Sequence, residues 1–203
     1  MNHTRSAVRL LQDANAKVSI PVPIATARLE LRPFLESDID GIAQLLADAE
    51  ATKFIGNVKS REAAAESVRV MRDAFSARGW GTLAVVAHGR IDCVGYCGVR
   101  PLPHTPEVEI AFALRQDCWN LGYATEAAMA SIDVAFSNLG LNSIVATVYP
   151  ENKASLRVLA KLGMTFECEV FGHWPRTTAL LFRIEREKWH PRTEVLSRAG
   201  RNT

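Results

Sequence analysis

The stretch Trp119-Asn-Leu-Gly-Tyr-Ala-Thr-Glu126, and the alanine-rich run it leads into, decide how this chain is read. Small and apolar residues recur at Ala124, Ala127, Ala128, Ser131, Ile132, Ala135, Phe136 and Leu139. Their offsets of 0, 3, 4, 7, 8, 11, 12 and 15 trace one face of a single helix. Alanine on that face lets the helix lie close against a sheet, and Gly140 is a suitable stop. The turn before the helix is built from small residues, Gly122 and Ala124, that let a ligand approach the backbone. The first N–H groups of a helix lack internal partners. With the helix dipole they form an anion site, and a pyrophosphate would satisfy them. Taken alone, the segment fits a phosphate-binding turn and a plain chain reversal equally, and no Gly-Lys-Ser/Thr accompanies it.

Working outward, Val108–Leu114, Cys93–Val99 and Thr82–Ala87 read as strands. The turn His88-Gly-Arg-Ile-Asp92 joins two of them, and its shortness makes the run antiparallel. A stiff loop with Pro101, Pro103 and Pro106 makes the next connection. Earlier, Leu29-Glu-Leu-Arg32 alternates apolar and polar residues and stops at Pro33, as a strand does. One helix is expected to open at Ser37 as N-cap, with Asp38 and Asp40 at its positive end. A second runs from Ser60 to Ala77, with Val68, Met71, Ala74 and Phe75 on one face, and ends at Arg78-Gly-Trp-Gly81. Downstream come the strand Ser143–Tyr149, the helix Ala154–Leu162 stopped by Gly163, and the strands Met164–Val170 and Thr178–Arg186. The order β, α, α, β, β, β, α, β, α, β, β predicts a mixed, mainly antiparallel sheet of the α+β class. Residues 1–24 read as an N-terminal appendage with a short helix over Ala7–Ala16. Residues 25–189 form one domain, and 190–203 a basic tail that frays.

Composition removes several function classes. The chain has 203 residues, against ~150 for an average domain. It is 48% hydrophobic and 23% charged, ordinary for a globular protein with its own core. Lys and Arg number 24 against 22 Asp and Glu, which argues against a nucleic-acid binder. No run approaches ~18 consecutive apolar residues, so no membrane span is expected. No secretory leader is visible, which points to the cytoplasm. Cys93, Cys97, Cys118 and Cys168 read as structural thiols, not as disulfides or a metal site. Cys93 and Cys97, four apart on one strand, are expected to share a face. A dinucleotide-binding GxGxxG after a first strand is absent.

The ordered motifs from Val108 to Met164 resemble the GNAT superfamily of acetyl-coenzyme A-dependent N-acetyltransferases. More closely, they resemble its branch of ribosomal-protein alanine N-acetyltransferases of the Rim type. The resemblance takes in Thr26-Ala-Arg-Leu-Glu-Leu-Arg-Pro33, Glu109-Ile-Ala-Phe-Ala-Leu114 and Gly122-Tyr-Ala-Thr-Glu-Ala127. It continues through Pro150-Glu-Asn-Lys-Ala-Ser155 and Lys161-Leu-Gly-Met164, covering roughly 26 to 189. It implies a sheet whose two central strands splay in a V, with coenzyme A in the gap. Pantetheine would pair with the edge at Phe112, Ala113 and Leu114. Pyrophosphate would sit on the N–H groups of Leu121, Gly122, Tyr123, Ala124 and Thr125. Asn152 would reach the pantetheine arm, or only cap the helix that follows it.

Transfer to an amine requires a neutral nucleophile, a base for its extra proton and a donor to the departing sulfur. An α-amine has pKa ~7.7–8 and a lysine amine ~10.4, so the first needs less help. Glu109 is the candidate base, with a solvated strand carboxylate as the plain alternative and Glu107 as a weaker rival. Many superfamily members carry a Tyr four residues before the helix-ending Gly; here that position is Leu159. The resemblance assigns the donor role to Ser155 instead. Trp119 and Leu121 stand where relatives carry Gln, Arg or other basic groups. Asn120 replaces a frequent Gly, and Lys153 or Arg157 would help hold the cofactor. Phe54, Trp80, Phe171, His173 and Trp174 are candidate walls for the acceptor. The expected function is acetyl transfer from acetyl-CoA to a primary amine, on a peptide N-terminus or a small molecule, without a metal. A catalytically poor acyl-CoA-binding domain is the alternative, and a homodimer through the late strands a further expectation.

Overall fold

The computed structural model describes residues 18–171 and 178–190. The expected helix over 7–16, His173, Trp174 and the tail beyond residue 190 lie outside the described residues. The chain starts with β1 (Ile24–Ala25), β2 (Leu29–Arg32), a 3-10 turn (Glu36–Asp38), α1 (Ile39–Ala47), α2 (Ala49–Thr52) and α3 (Arg61–Arg78). It continues with β3 (Thr82–Ala87), β4 (Cys93–Pro101), β5 (Val108–Leu114), α4 (Tyr123–Asn138) and β6 (Ser143–Val148). It ends with α5 (Lys153–Leu162), β7 (Thr165–Phe171) and β8 (Thr178–Glu185). One sheet holds the strands in the order β1-β2-β3-β4-β5-β6-β8-β7. Every neighbouring pair is antiparallel except β5 and β6, which are parallel.

Two cores lie on opposite faces of this sheet. The larger gathers Leu29, Leu31, Leu83, Val85, Cys97, Val99, Ile110 and Ile144 beneath the α4 residues Ala127, Ala128, Ile132 and Ala135. Three of these four helix residues are alanines, so α4 seats low on the strands, as the periodicity predicts. The smaller packs Phe34, Ile42, Leu45, Ala64, Val68, Ala84 and Cys93 under α1 and α3. Residues ahead of Thr26 contribute as well. Ile20 and Ile24 are buried in the larger core, and the Ile20 N–H donates to the Gly79 carbonyl at 3.0 Å.

Two local expectations change. The first helix does not open on Ser37. Asp38 is the organising residue: it is 1% exposed, pairs with Arg32 at 2.7 Å and accepts the Leu35 N–H at 2.8 Å. A carboxylate this deep needs charged and N–H donors around it, and the Arg32 guanidinium and the Leu35 N–H supply them. Cys93 and Cys97 also fall on opposite faces. Val85 pairs with Gly95 but Val86 pairs with Cys93, so Val94 is an extra residue and the alternation slips by one. Burial pushes both thiols up to about 12, as suits packing groups.

Gly95 is the hinge of this bulge. It sits at φ +150°, and a Cβ there would fall 2.1 Å from the Ala113 carbonyl oxygen. Gly95→Ala is therefore expected to cost about 2 kcal/mol or more, lowering Tm by roughly 4–8 °C in a chain of this size. A thermal melt of the variant checks this.

Candidate active site

The two central strands touch at a single register pair, Glu109 with Val145, and separate beyond it. The N–H and C=O groups of a strand alternate between its two edges. Arg115 donates to the Val94 carbonyl at 2.9 Å, so residues 113 and 115 turn toward β4. Residues 112 and 114 therefore turn toward the gap. The Leu114 carbonyl is already taken by the Trp119 indole N–H at 2.7 Å. Trp119 thus closes one end of the free edge and leaves the Phe112 groups and the Leu114 N–H open.

Two clefts enter the gap from opposite sides. The first, about 600 Å³, is lined by Phe112, Ala113, Leu114, Trp119, Asn120, Gly122, Tyr123, Ala124, Thr125 and Asn152, with the start of α5. The second, about 770 Å³, is lined by Tyr96, Arg100, Glu107, Glu109, Ala111, Thr147, Tyr149, Phe171 and Arg183. Both include Phe54, Ile55, Phe112, Asn152 and Ser155, so they meet at those residues. Of the predicted cofactor set, Leu121 alone is not in the wall. Of the predicted aromatic walls, Phe54 lines both clefts and Phe171 one. Trp80 is 3% exposed in the core instead, under the Arg78 guanidinium.

Gly122 caps α4 at φ +81°, and Asn120 precedes it at φ +59°. Asn tolerates the left-handed region better than other side chains, which is why it can stand where relatives have Gly. Sequence reasoning gave no role to Arg28, although its motif had been singled out. The Arg28 guanidinium pairs with Glu126 at 2.6 Å, donates to the Leu121 carbonyl at 2.7 Å and lies 5.0 Å from the Tyr123 ring centre. Glu126 also accepts from Thr26 at 2.6 Å and from the Arg28 N–H at 2.9 Å. Burial disfavours the Glu126 anion, but these hydrogen bonds together hold its carboxyl below the usual value. A carboxylate in the first turn of α4 would otherwise repel a phosphate.

Cations also line this cleft. Lys153, Arg157 and Lys161 recur every fourth residue on α5, and Lys53 lines the same cleft, as do Glu50 and Glu151. Asn152 caps α5 by accepting the Ser155 N–H on its carboxamide oxygen at 3.1 Å. Among the described residues its NH2 group donates to nothing.

On the other side Glu109 is 4% exposed and spans the vertex of the splay. Arg100 donates to one oxygen at 2.8 Å, and Thr147 on β6 to the other at 3.3 Å. Leu159, where a phenol is common, is a core residue at 1% exposure.

The family model of the acetyltransferase (GNAT) domain matches residues 28–165. The chain belongs to the GNAT family of acetyltransferases. It is an N-acetyltransferase, and the GNAT enzymes use acetyl-CoA. An uncharacterized N-acetyltransferase of Bacillus licheniformis, p20, is 28% identical over 145 residues, 70% of this chain and 82% of that one. The FsC-acetyl coenzyme A-N(2)-transacetylase of Aspergillus fumigatus is 28% identical over 181 residues, 81% and 76% of the two chains. A GNAT acetyltransferase of Bacillus anthracis superposes with a TM-score of 0.71 at 27% identity, over 81% of this chain and 98% of that one. Among the described residues no helix is long and apolar enough to cross a membrane.

The Glu126 pairing makes a pH-dependent prediction. A carboxyl held low in the fold adds stability above its unfolded value, near 4.5, and loses it as pH falls through the lower folded value. Glu126→Gln should thus cost about 1–2 kcal/mol at pH 7. The gap from wild type should narrow below pH 4, as read from denaturant midpoints at both pH values.

Proposed function

We propose that this GNAT enzyme acetylates a primary amine by direct transfer, with acetyl-CoA in the smaller cleft and the amine in the larger. The observation that carries this reading is the meeting of the two clefts at Phe112, Asn152 and Ser155, inside the gap between β5 and β6. The smaller cleft fits coenzyme A. It offers helix-end N–H groups to a pyrophosphate, an open strand edge at Phe112 to amides, and the stripe Lys153, Arg157 and Lys161 to further phosphate charge.

Acetyl-CoA supplies an activated thioester. In the transfer, the amine nitrogen bonds to the acetyl carbon, the carbon–sulfur bond breaks, and one proton moves from nitrogen to solvent while another reaches sulfur. Glu109 lies three residues from Phe112, about 10 Å along an extended strand. That separation favours proton removal through water over direct contact. Ser155, whose hydroxyl makes no hydrogen bond among the described residues, stands at the meeting point and would donate to the developing thiolate. Asn152 would orient the pantetheine arm through its NH2 group. The kinship to the Rim-type branch, a cytoplasmic setting and a homodimer belong to this proposal too.

The test is release of free thiol from acetyl-CoA over a panel of peptides, aminoglycosides and polyamines. Coenzyme A binding without turnover on any amine would favour a binding domain over an enzyme. Glu109→Gln should lower kcat/KM for the acceptor by about 10²–10⁴ with acetyl-CoA affinity kept. Ser155→Ala should lower kcat about tenfold or more at unchanged acetyl-CoA KM. The double change Lys153→Glu with Arg157→Glu should do the reverse, raising acetyl-CoA KM and steepening its salt dependence while kcat stays near wild type.

A further inference from the structure

We propose that Arg100 binds a carboxylate on the acceptor, so that the acceptor is an α-amino acid or a small compound with the same amine-to-carboxylate spacing. This rests on the larger cleft being the acceptor's, as argued above.

The cleft holds two guanidiniums in opposite states. Arg183 is spent: its Nε donates to Glu167 at 2.6 Å, one terminal nitrogen reaches Glu107 and Ser143, and the other reaches Glu107 and Glu167. Arg100 commits only Nε, to Glu109 at 2.8 Å. Among the described residues its two terminal nitrogens donate to nothing, and the side chain is 49% exposed. Two adjacent terminal nitrogens are the fork that grips a carboxylate through two parallel bonds.

The floor between Arg100 and the meeting point is nearly bare. Register pairs place Arg100 opposite Glu109, then Gly98 opposite Ala111, then Tyr96 opposite Ala113. Two residues of strand span about 7 Å. An amine above Ala111, toward Phe112 and Ser155, thus leaves a neighbouring carboxylate within reach of the Arg100 side chain. The wall as a whole is net negative, with Glu107, Glu109 and Glu167 against Arg100 and Arg183, and that balance suits a group able to carry positive charge. A compound with one cation and one anion matches both halves of this arrangement.

The experiment compares α-amino acids with their α-carboxamides as acceptors. Wild type is expected to prefer the free acids by about 10–100-fold in kcat/KM, mostly through KM. Arg100→Gln should bring that ratio near one, whatever change in rate the acids and the carboxamides share through loss of the Glu109 pair. Equal use of acid and carboxamide by wild type overturns the proposal, whether or not the variant folds. So does an Arg100→Gln enzyme that loses both alike, because that is a purely structural role for the Glu109 pair. If polyamines or peptides are acetylated and free amino acids are not, the proposal falls while amine acetylation stands. If no amine is acetylated, the transfer reading fails, and saturation-transfer NMR of the same acids and carboxamides with coenzyme A present still decides Arg100. Signals confined to the acids uphold it, and equal signals refute it.

Discussion

Everything in the site depends on β5 and β6 being parallel neighbours that meet at only one register pair. A parallel ladder continued past Glu109 and Val145 would tie up the Phe112 and Leu114 backbone groups and fill the space between them. Stopping it leaves polar groups facing a gap in the middle of a sheet, which a folded chain does not tolerate unless they are solvated or paired. The protein meets that demand in two ways. The Trp119 indole takes the Leu114 carbonyl, and the rest stays open to a ligand with amides of its own. The vertex is kept from sliding by Glu109, whose carboxylate gathers Arg100 from β4 and Thr147 from β6. One carboxylate therefore serves the architecture and stands as the proposed base.

The splay also separates charge. On the α5 side the wall holds more cations than anions, and on the Arg183 side the balance is reversed. The proposed assignment of acetyl-CoA to the first cleft and the amine to the second follows this division, with Ser155 in the wall of both. The chain's near-zero net charge hides this division, because a sum over all residues keeps no record of where the charges lie.

The sequence made the core elements legible because their patterns are local. Val108–Leu114 comes out with its bounds unchanged, and α4 within one residue, since strand alternation and helical spacing need no knowledge of neighbours. The errors come from tertiary partners. Nothing near Ser37 says that Asp38 will meet Arg32 in a buried pair and set the turn itself. Nothing near Cys93 says that Val94 will bulge and move it to the other core. Arg28 is the clearest case: its partner Glu126 lies 98 residues on, and only the seating of α4 beside β2 joins them. The α5 stripe was half visible, with Lys153 and Arg157 named but Lys161 counted only as part of a motif.

Arg28 also alters the physical account of the phosphate site. The loop itself is poor in positive charge, with Trp119 and Leu121 where the resemblance leads one to expect polar or basic groups. The guanidinium that arrives from the turn before β2 does not make good that loss directly, because it is committed to Glu126 and the Leu121 carbonyl. It neutralises the one acidic group in the first turn of α4 and fixes the loop that presents Gly122. A helix terminus binds an anion through N–H groups held in place, and its own carboxylate is the strongest competitor for them. Removing that competitor and rigidifying the turn leaves the backbone donors free for the proposed pyrophosphate, with the cations of α5 in the same cleft wall. In the proposed site, affinity is thus divided between a preorganised backbone and side-chain charge on α5.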